Sequence, residues 1–356
     1  MNIFIDCRML NSGGIGTYLD SILPYLIKEN KCTLLCAPSQ FERIAKYSSK
    51  VQIVQTDIKT FSIKELLFFP RSLCKIINSC DVFYSPYCNV PFGIKVPVFT
   101  TIHDIVFLDV EGLSSRLGTL ARKFFYQHAI NRSKAIFTVS NFSAERIKLK
   151  LRTKNKPVVV TYNSVPQWFI DSAPQATSSI AEKDNSIIFV GNIKKHKGLS
   201  TLLDAFEICN QKKLNAKLVI IGNAENFRSG DEETARKLEA AQNKNIFFTG
   251  KISDSELKDY YHKARLLVQP SLYEGFGMPP MEALICGTNA IISDIPVFKE
   301  IYDAFPVTFF EAGNSKNLAE KIMEVFDAPA PARNQIPDKY SFAKSADIIL
   351  KQFILD

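Results

Sequence analysis

The sequence predicts an α/β protein built from two parallel-sheet domains in tandem. Three observations carry that expectation. Apolar runs of strand length alternate with segments of helical period along the 356-residue chain. A Ser-, Ala- and Pro-rich stretch, residues 164–186, breaks the rhythm near the middle. The same alternation then restarts, and at roughly 150 residues per domain the length suits two domains.

Taken in order, residues 2–6 (NIFID) read as the first strand. A Gly-rich turn at 12–16 (SGGIG) leads into a helical run at 17–28, interrupted by Pro24. Further strands are expected at 32–36, 51–54, 81–84, 98–102, 135–139 and 157–161, with helices at 63–79, about 115–133 and 141–149. The second half offers strands at 187–191, 217–222, 246–249, 266–270, 289–293 and 306–310. Its helices are expected at 199–211, 231–242, 254–263, 280–287, 296–303 and 315–327, with a last amphipathic helix at 340–355. Strands alternating with helices imply parallel sheets covered on both faces. Ligands of such sheets lie outside the C-terminal strand ends. Two sheets facing each other would place a ligand in the cleft between them.

Composition excludes several classes. Apolar residues at 46% and charged residues at 22% are ordinary globular material. No stretch reaches the roughly 18 apolar residues of a membrane helix. The N-terminus, MNIFIDCRML, lacks the basic and apolar regions of a signal peptide. Eight Cys without a C-x-x-C fit a reducing cytosol. Cys7, Cys209 and Cys286 read as buried thiols, while Cys32 and Cys36 flank a strand and leave a metal or disulfide pair as the alternative. Residues 1–170 carry 22 Lys and Arg against 11 Asp and Glu, a balance of +11, and residues 171–356 carry 22 against 25, a balance of −3. That asymmetry implies different partners for the two halves.

Five segments carry candidate chemistry. Gly13, Gly14 and Gly16 let the backbone approach a ligand, and the helix after them offers N–H groups to phosphate; a plain tight turn is the alternative. The segment FTTIHDIVFL ends a strand at His103-Asp104, which places His103 on the ligand side or makes it an ordinary buried histidine. In TVSNFSAER, Ser140 or Asn141 caps a helix or lines a cleft. In FVGNIKKHKGL, Lys194 and Lys195 are read as facing solvent, and Lys197, just before Gly198 and a helix, is the candidate for neutralising a diphosphate. In QPSLYEGFGMPPMEA, Gly275 and Gly277 bracket Phe276 in a tight turn, and Pro279 and Pro280 open a helix. Backbone N–H groups of that turn suit phosphate, and Glu274 and Glu282 suit hydroxyls, since a carboxylate accepts two O–H donors. Paired acids also suggest glycoside hydrolysis, but a phosphate-binding turn between them fits a nucleotide-sugar better.

With these residues in place, the chain resembles the retaining GT-B glycosyltransferases typified by bacterial mannosyl- and glucosyltransferases. Their hallmark is a Glu, seven residues and a second Glu, here EGFGMPPME from Glu274 to Glu282. GGIG, the His103-Asp104 pair, VSNFS and FVGNIKKHKG stand in the order of that family. The resemblance implies two facing Rossmann-like domains with a deep interdomain cleft. It gives an acceptor-binding domain at 1–165, a linker at 166–186, a nucleotide-sugar domain at 187–338 and a terminal helix, 339–356, packing back on the first domain. It also implies that Glu282 holds the ribose, Glu274 the transferred sugar, and Lys197 the diphosphate together with the loop at Gly14 and Gly16. Phe276, Gly277 and Met278 would line the donor site through their backbone, and His103 would lie near the reacting carbon. Where the family often has Arg, this chain has Asn192, so either His196 or Lys195 supplies the missing charge or the diphosphate site is weaker. The family is generally metal-independent, and no D-x-D stands at a strand end here.

The implied activity is hexose transfer, with retention, from a nucleotide diphosphate sugar to a hydroxyl of a glycan or lipid-linked acceptor in cell-surface polysaccharide synthesis. GDP-mannose is the first choice of donor and a UDP-sugar the second. An epimerase or phosphorylase of similar fold and a degenerate, non-catalytic sugar-nucleotide-binding protein are the competing readings. Arg116, Arg122, Lys123, Arg132, Lys134 and the basic run 146–156 are expected to meet anionic lipid, or else form a solvated basic face. No nucleic-acid-binding motif is evident. The expected location is the cytoplasm, with peripheral contact at the inner face of the inner membrane.

Overall fold

A computed structural model of the chain describes residues 1–172, 182–222, 232–240, 245–329, 331 and 336–355. The described residues divide into two compact units, Met1–Pro166 with the segment from Asp338 onward, and Gln167–Pro337. The middle of the expected linker, 173–181, and residues 231, 241 and 242 of the expected helix 231–242 lie outside the described residues.

The first unit runs β1 (Asn2–Asp6), α1 (Gly13–Leu26), β2 (Lys31–Cys36), α2 (Phe41–Ala45), β3 (Val51–Gln55), α3 (Ile63–Leu67), α4 (Arg71–Ile77), β4 (Val82–Ser85) and β5 (Val98–Thr101). It continues with α5 (Val106–Asp109), α6 (Arg116–Arg132), β6 (Ser133–Thr138), α7 (Asn141–Lys150) and β7 (Val158–Val160). The second runs α8 (Gln167–Asp171), β8 (Asp184–Val190), α9 (Leu199–Gln211), β9 (Lys217–Ile221), α10 (Glu232–Ala240), β10 (Ile246–Gly250) and α11 (Asp254–Lys263). It is completed by β11 (Ala264–Gln269), α12 (Pro279–Ile285), β12 (Asn289–Ser293), α13 (Pro296–Tyr302), β13 (Thr308–Phe310) and α14 (Ser315–Val325). The last helix, α15 (Phe342–Ile354), returns to the first unit.

Both sheets are parallel. The first has the order β3-β2-β1-β4-β5-β6-β7 and the second β10-β9-β8-β11-β12-β13. Each therefore reverses direction once, between β1 and β4 and between β8 and β11. The strand ends at such a reversal diverge and leave a crevice, which is where doubly wound sheets bind ligands.

Burial on both faces explains why the strands are continuously apolar. In β1, Ile3 and Ile5 enter one core with Tyr18, Ile22 and Leu23 of α1 and Ile349 and Phe353 of α15. Phe4 points to the opposite core with Leu73, Ile77 and Ala129. The Phe353 ring lies 4.6 Å from Phe99 and 5.7 Å from Tyr84, which fixes α15 to the first sheet. In the second unit Ile187, Phe189, Leu218 and Val268 pack on Leu202 and Phe206 of α9 and Leu318 and Ile322 of α14.

Some sequence expectations are corrected. The expected single helix 63–79 is two helices. Pro70 has no N–H and disfavours helical geometry in the residue before it, so α3 closes at Phe68 and α4 opens from the Pro70 carbonyl. The expected turn at 12–16 lies elsewhere. The chain turns over Cys7–Ser12, α1 begins at Gly13, and the helix continues through Pro24 to Leu26. Cys32 and Cys36 are free, buried in one core on one strand, and four residues of extended chain, roughly 13 Å, is too far for a shared bond or metal.

The end of β1 also carries a buried charge cluster that nothing in the sequence signalled. Arg8 pairs with Asp6 at 2.5 Å and with Glu65, and also donates to Tyr87 OH at 2.8 Å. Glu65 in turn accepts from the Phe61 N–H at 2.8 Å, so the cluster ties the segment before α3 to the sheet. Removing one member of a buried ion pair strands the others without a partner. Arg8→Met is therefore expected to cost about 3–5 kcal/mol in urea denaturation.

Candidate functional site

The crevice of the second sheet is built from the loops after β8 and β11. After β8 the chain makes a short helical turn at Lys195–Lys197 and passes through Gly198 in a left-handed conformation into α9. The His196 carbonyl accepts from the Leu272 N–H at 2.7 Å, which pins this loop to the one after β11. A Cβ on Gly198 would collide with the Pro270 carbonyl, so only glycine allows the two loops to meet this closely.

That junction brings Lys197 and Glu274 together. The Lys197 Nζ donates to both Glu274 oxygens, at 2.7 and 2.8 Å. Ser271 Oγ also donates to Glu274 Oε1 at 2.8 Å and receives from Gln269 Nε2 at 3.0 Å. The carboxylate is buried and the lysine partly so. Among the described residues, His196 Nδ1 and Gln269 Oε1 are buried without a hydrogen-bond partner. Such orphaned polar atoms are rare, and a polar ligand is one explanation for them.

Glu282 lies on α12, past the tight turn. Its Oε2 accepts a 2.6 Å hydrogen bond from Tyr261 OH of α11, and both side chains are buried. Burial pushes the Glu282 carboxyl up to about 7, against a favourable pull from the Tyr261 hydrogen bond. Phe276 is buried in the turn, and Met278 starts α12 by accepting from Met281 and Glu282 N–H groups. Gly277 has φ +81° and its carbonyl accepts from Tyr302 OH. A Cβ there would sit 2.4 Å from the Phe298 ring. Gly277→Ala combines left-handed strain with overpacking and is expected to destabilise the second unit by about 2–4 kcal/mol, read by thermal denaturation.

The remaining sequence candidates fall elsewhere. Asn192 is exposed just past β8. The expectation that His196 supplies the charge absent at Asn192 is corrected. Burial and the neighbouring Lys197 push His196 down to about 4, so it is neutral at pH 7. Lys195, exposed on the same turn, and a weaker diphosphate site are the alternatives left. In the first unit Gly14 and Gly16 lie inside α1, and Gly16 is packed against the Leu10 carbonyl. His103 follows β5 by two residues, partly buried, with Nε2 2.9 Å from the Pro86 carbonyl and its ring edge-on to Tyr18 at 4.8 Å. A carbonyl only accepts, so Nε2 carries the proton. Burial pushes this imidazole down to about 4, which keeps it neutral. Ser140 caps α7, accepting from the Ser143 N–H at 3.0 Å.

Several basic residues expected at a partner surface are engaged within the fold. Arg122 lies 4.1 Å over the Phe107 ring, and Arg132 bonds the Ile94 carbonyl. Arg146 grips Asp109 through two hydrogen bonds of 2.8 and 2.7 Å, and Lys156 bonds the carbonyls of Asn131 and Ser133. Arg116 and Lys123 are exposed. Among the described residues, no helix is long and apolar enough to cross a membrane, and no group of three or more His, Cys, Asp or Glu could hold a metal.

Two doubly wound units, one with a lysine–carboxylate pair and a buried second carboxylate at its crevice, define a two-domain α/β protein. Residues 12–167 match the family model described as Glycosyltransferase Family 4, and residues 173–341 match the one described as Glycosyl transferases group 1. Together these matches span most of the chain, which belongs to the GT-B glycosyltransferases. It is 29% identical over 224 residues to the O-antigen chain mannosyltransferase RfbU of Salmonella typhimurium, covering 60% of each chain. It is 27% identical over 313 residues to the capsular polysaccharide biosynthesis glycosyltransferase CapM of Staphylococcus aureus, covering 81% of this chain and 79% of CapM. The match thus spans 60% of RfbU and 58% of the Escherichia coli O-antigen chain mannosyltransferase B, less than two thirds of either. The solved structure of Anabaena Alr3699/HepE in complex with UDP and glucose shares the fold, with a TM-score of 0.72 at 14% identity over 99% of this chain and 98% of that one.

Proposed function

We propose that this protein transfers a hexose, with retention, from a nucleotide diphosphate sugar to a hydroxyl of a glycan or lipid-linked acceptor in cell-surface polysaccharide synthesis. The observation that carries the reading is the Lys197–Glu274 pair at the second crevice. A diphosphate competes with the Glu274 carboxylate for Lys197, and the hydroxyls of the attached sugar then occupy the vacated carboxylate. The two residues exchange each other for the two ends of one ligand. Glu282, deep in α12 and steadied by Tyr261, accepts the ribose hydroxyls. Backbone groups of Phe276, Gly277 and Met278 line the donor, and Asn192 adds a neutral hydrogen bond.

The chemical step breaks the bond between the anomeric carbon and the phosphate oxygen. It forms a bond from the acceptor oxygen on the same face. The acceptor proton passes to the departing phosphate, so the products are the glycoside and the nucleoside diphosphate. Negative charge grows on that phosphate as the bond breaks, so Lys197 stabilises the transition state more than the ground state. The step as written uses no metal.

The relatives named as mannosyltransferases support mannose as the transferred sugar, with GDP-mannose as the donor proposed first. The HepE complex with UDP and glucose supports a UDP-sugar as the second. The protein acts in the cytoplasm, where nucleotide sugars are made, and at the inner face of the membrane when the acceptor is lipid-borne. The test supplies the full chain with GDP-mannose or a series of UDP-sugars and a lipid-linked glycan acceptor, and reads products by NMR. An α-linked product from an α-linked donor supports the reading. Inversion, or no transfer from any donor despite tight nucleotide binding, would replace it with an inverting enzyme or a binding protein.

A further inference from the structure

Helix α6 turns an apolar stripe outward. Leu117, Leu120 and Phe124 are 80%, 64% and 54% exposed. They fall at i, i+3 and i+7, so they share one face, while Tyr126, Ala129 and Ile130 fix the opposite face in the core. Scattered exposed leucines are ordinary, but this stripe continues. Phe124 stacks beside His128 at 6.2 Å, and His128 lies 4.6 Å from exposed Phe92. The Phe92 N–H donates to the Leu66 carbonyl at 3.2 Å, next to exposed Leu67 and Phe68. Connected apolar surface of this kind marks an interaction site.

Charge identifies the partner. Arg116 and Lys123, seven residues apart, border the stripe along α6, and Lys64 and Arg71 flank Leu67 and Phe68, all four exposed. They belong to the half of the chain with a balance of +11. A basic border around an apolar strip on a helix lying flat is the pattern of interfacial binding. The apolar side chains enter the acyl boundary and the cations meet anionic headgroups.

We propose that the α6 stripe with Phe92, Leu67 and Phe68 is a membrane-docking surface that seats the first unit on an anionic lipid bilayer. The inference deepens the reading of a lipid-borne acceptor and draws its purpose from it, but docking itself requires no donor.

The test is flotation of the full chain with vesicles of phosphatidylcholine alone or with 30 mol% phosphatidylglycerol, at low and high salt. The wild type should bind the anionic vesicles at least tenfold better, and high salt should weaken that binding. Leu120→Gln with Phe124→Gln should reduce it at least tenfold, and Arg116→Glu with Lys123→Glu should remove the preference for anionic lipid. Calorimetric nucleotide binding should be unchanged in both variants, which separates failure of docking from failure of the transferase reading. Equal binding to both vesicle types, or none, overturns the proposal. So does a concentration-dependent dimer by sedimentation that Leu120→Gln with Phe124→Gln abolishes, which would assign the surface to a second copy.

Discussion

The Glu282→Gln variant is expected to melt several degrees above the wild type at pH 8 and to have lost its nucleotide. Burial holds this carboxyl at about 7 against an ordinary value of 4.5. Below pH 4 the group is protonated in folded and unfolded chains alike, and it costs nothing. As pH rises through 4.5 the unfolded chain ionises first, so the penalty on folding grows until about pH 7 and is constant above. Its full size is about 3 kcal/mol, and a domain of this size gains roughly 2–4 °C per kcal/mol recovered. Glutamine keeps an acceptor for Tyr261 and never ionises. The stabilisation should therefore be large at pH 8 and nearly absent at pH 4.

On the proposed role of Glu282, the same residue should give nucleotide binding a pH dependence. An ionised carboxylate accepts both ribose hydroxyls, and a protonated one does so less well. Affinity for the nucleoside diphosphate should therefore fall roughly tenfold per pH unit below about 7. Tyr261 donates to the charged form and holds the value down, so Tyr261→Phe should move the midpoint upward. Titration calorimetry between pH 5.5 and 8.5 reads both effects.

The second large effect is on the Lys197–Glu274 pair. Lys197→Gln preserves a donor to Glu274 but removes the charge. Turnover should fall on the order of 10²- to 10³-fold, the loss typical of removing one preorganised donor to a developing negative charge. Glu274→Gln should lower turnover comparably, because the sugar loses its acceptor, yet bind the free nucleoside diphosphate more tightly, because Lys197 is no longer shared. Opposite changes in turnover and product affinity from one substitution separate partner exchange from a purely structural ion pair, which would weaken both.

Much of this architecture was legible because parallel strands buried on both faces are nearly continuous apolar runs, as in NIFID and KLVII. The EGFGMPPME segment was legible for a different reason: glycines, prolines and acids at fixed spacing leave few other structures open. What escaped notice depended on contacts between distant residues. Tyr261 stands 21 residues before Glu282, in a helix whose sequence gives no hint of a buried partner. His196 in KKHKG was one candidate for the missing charge, but its carbonyl accepts from the Leu272 N–H and its side chain is buried. The Arg8 cluster joins residues 57 and 79 positions apart, which no local pattern announces. Gly14 and Gly16 looked like a phosphate turn because their residue types suit one, yet the chain had already turned at Cys7–Ser12 and the glycines entered the helix.

The central claim is that the crevice of the second sheet binds a nucleoside diphosphate with Lys197 on the phosphates and Glu282 on the ribose. Titration calorimetry at pH 8 with GDP and GMP, and in parallel UDP and UMP, tests it most directly in the wild type, Lys197→Gln and Glu282→Gln. The account predicts that one base series binds, diphosphate tighter than monophosphate. Lys197→Gln should narrow that gap, and Glu282→Gln should weaken both ligands alike. No binding by either series at millimolar concentration, or affinities untouched by both substitutions, would contradict it.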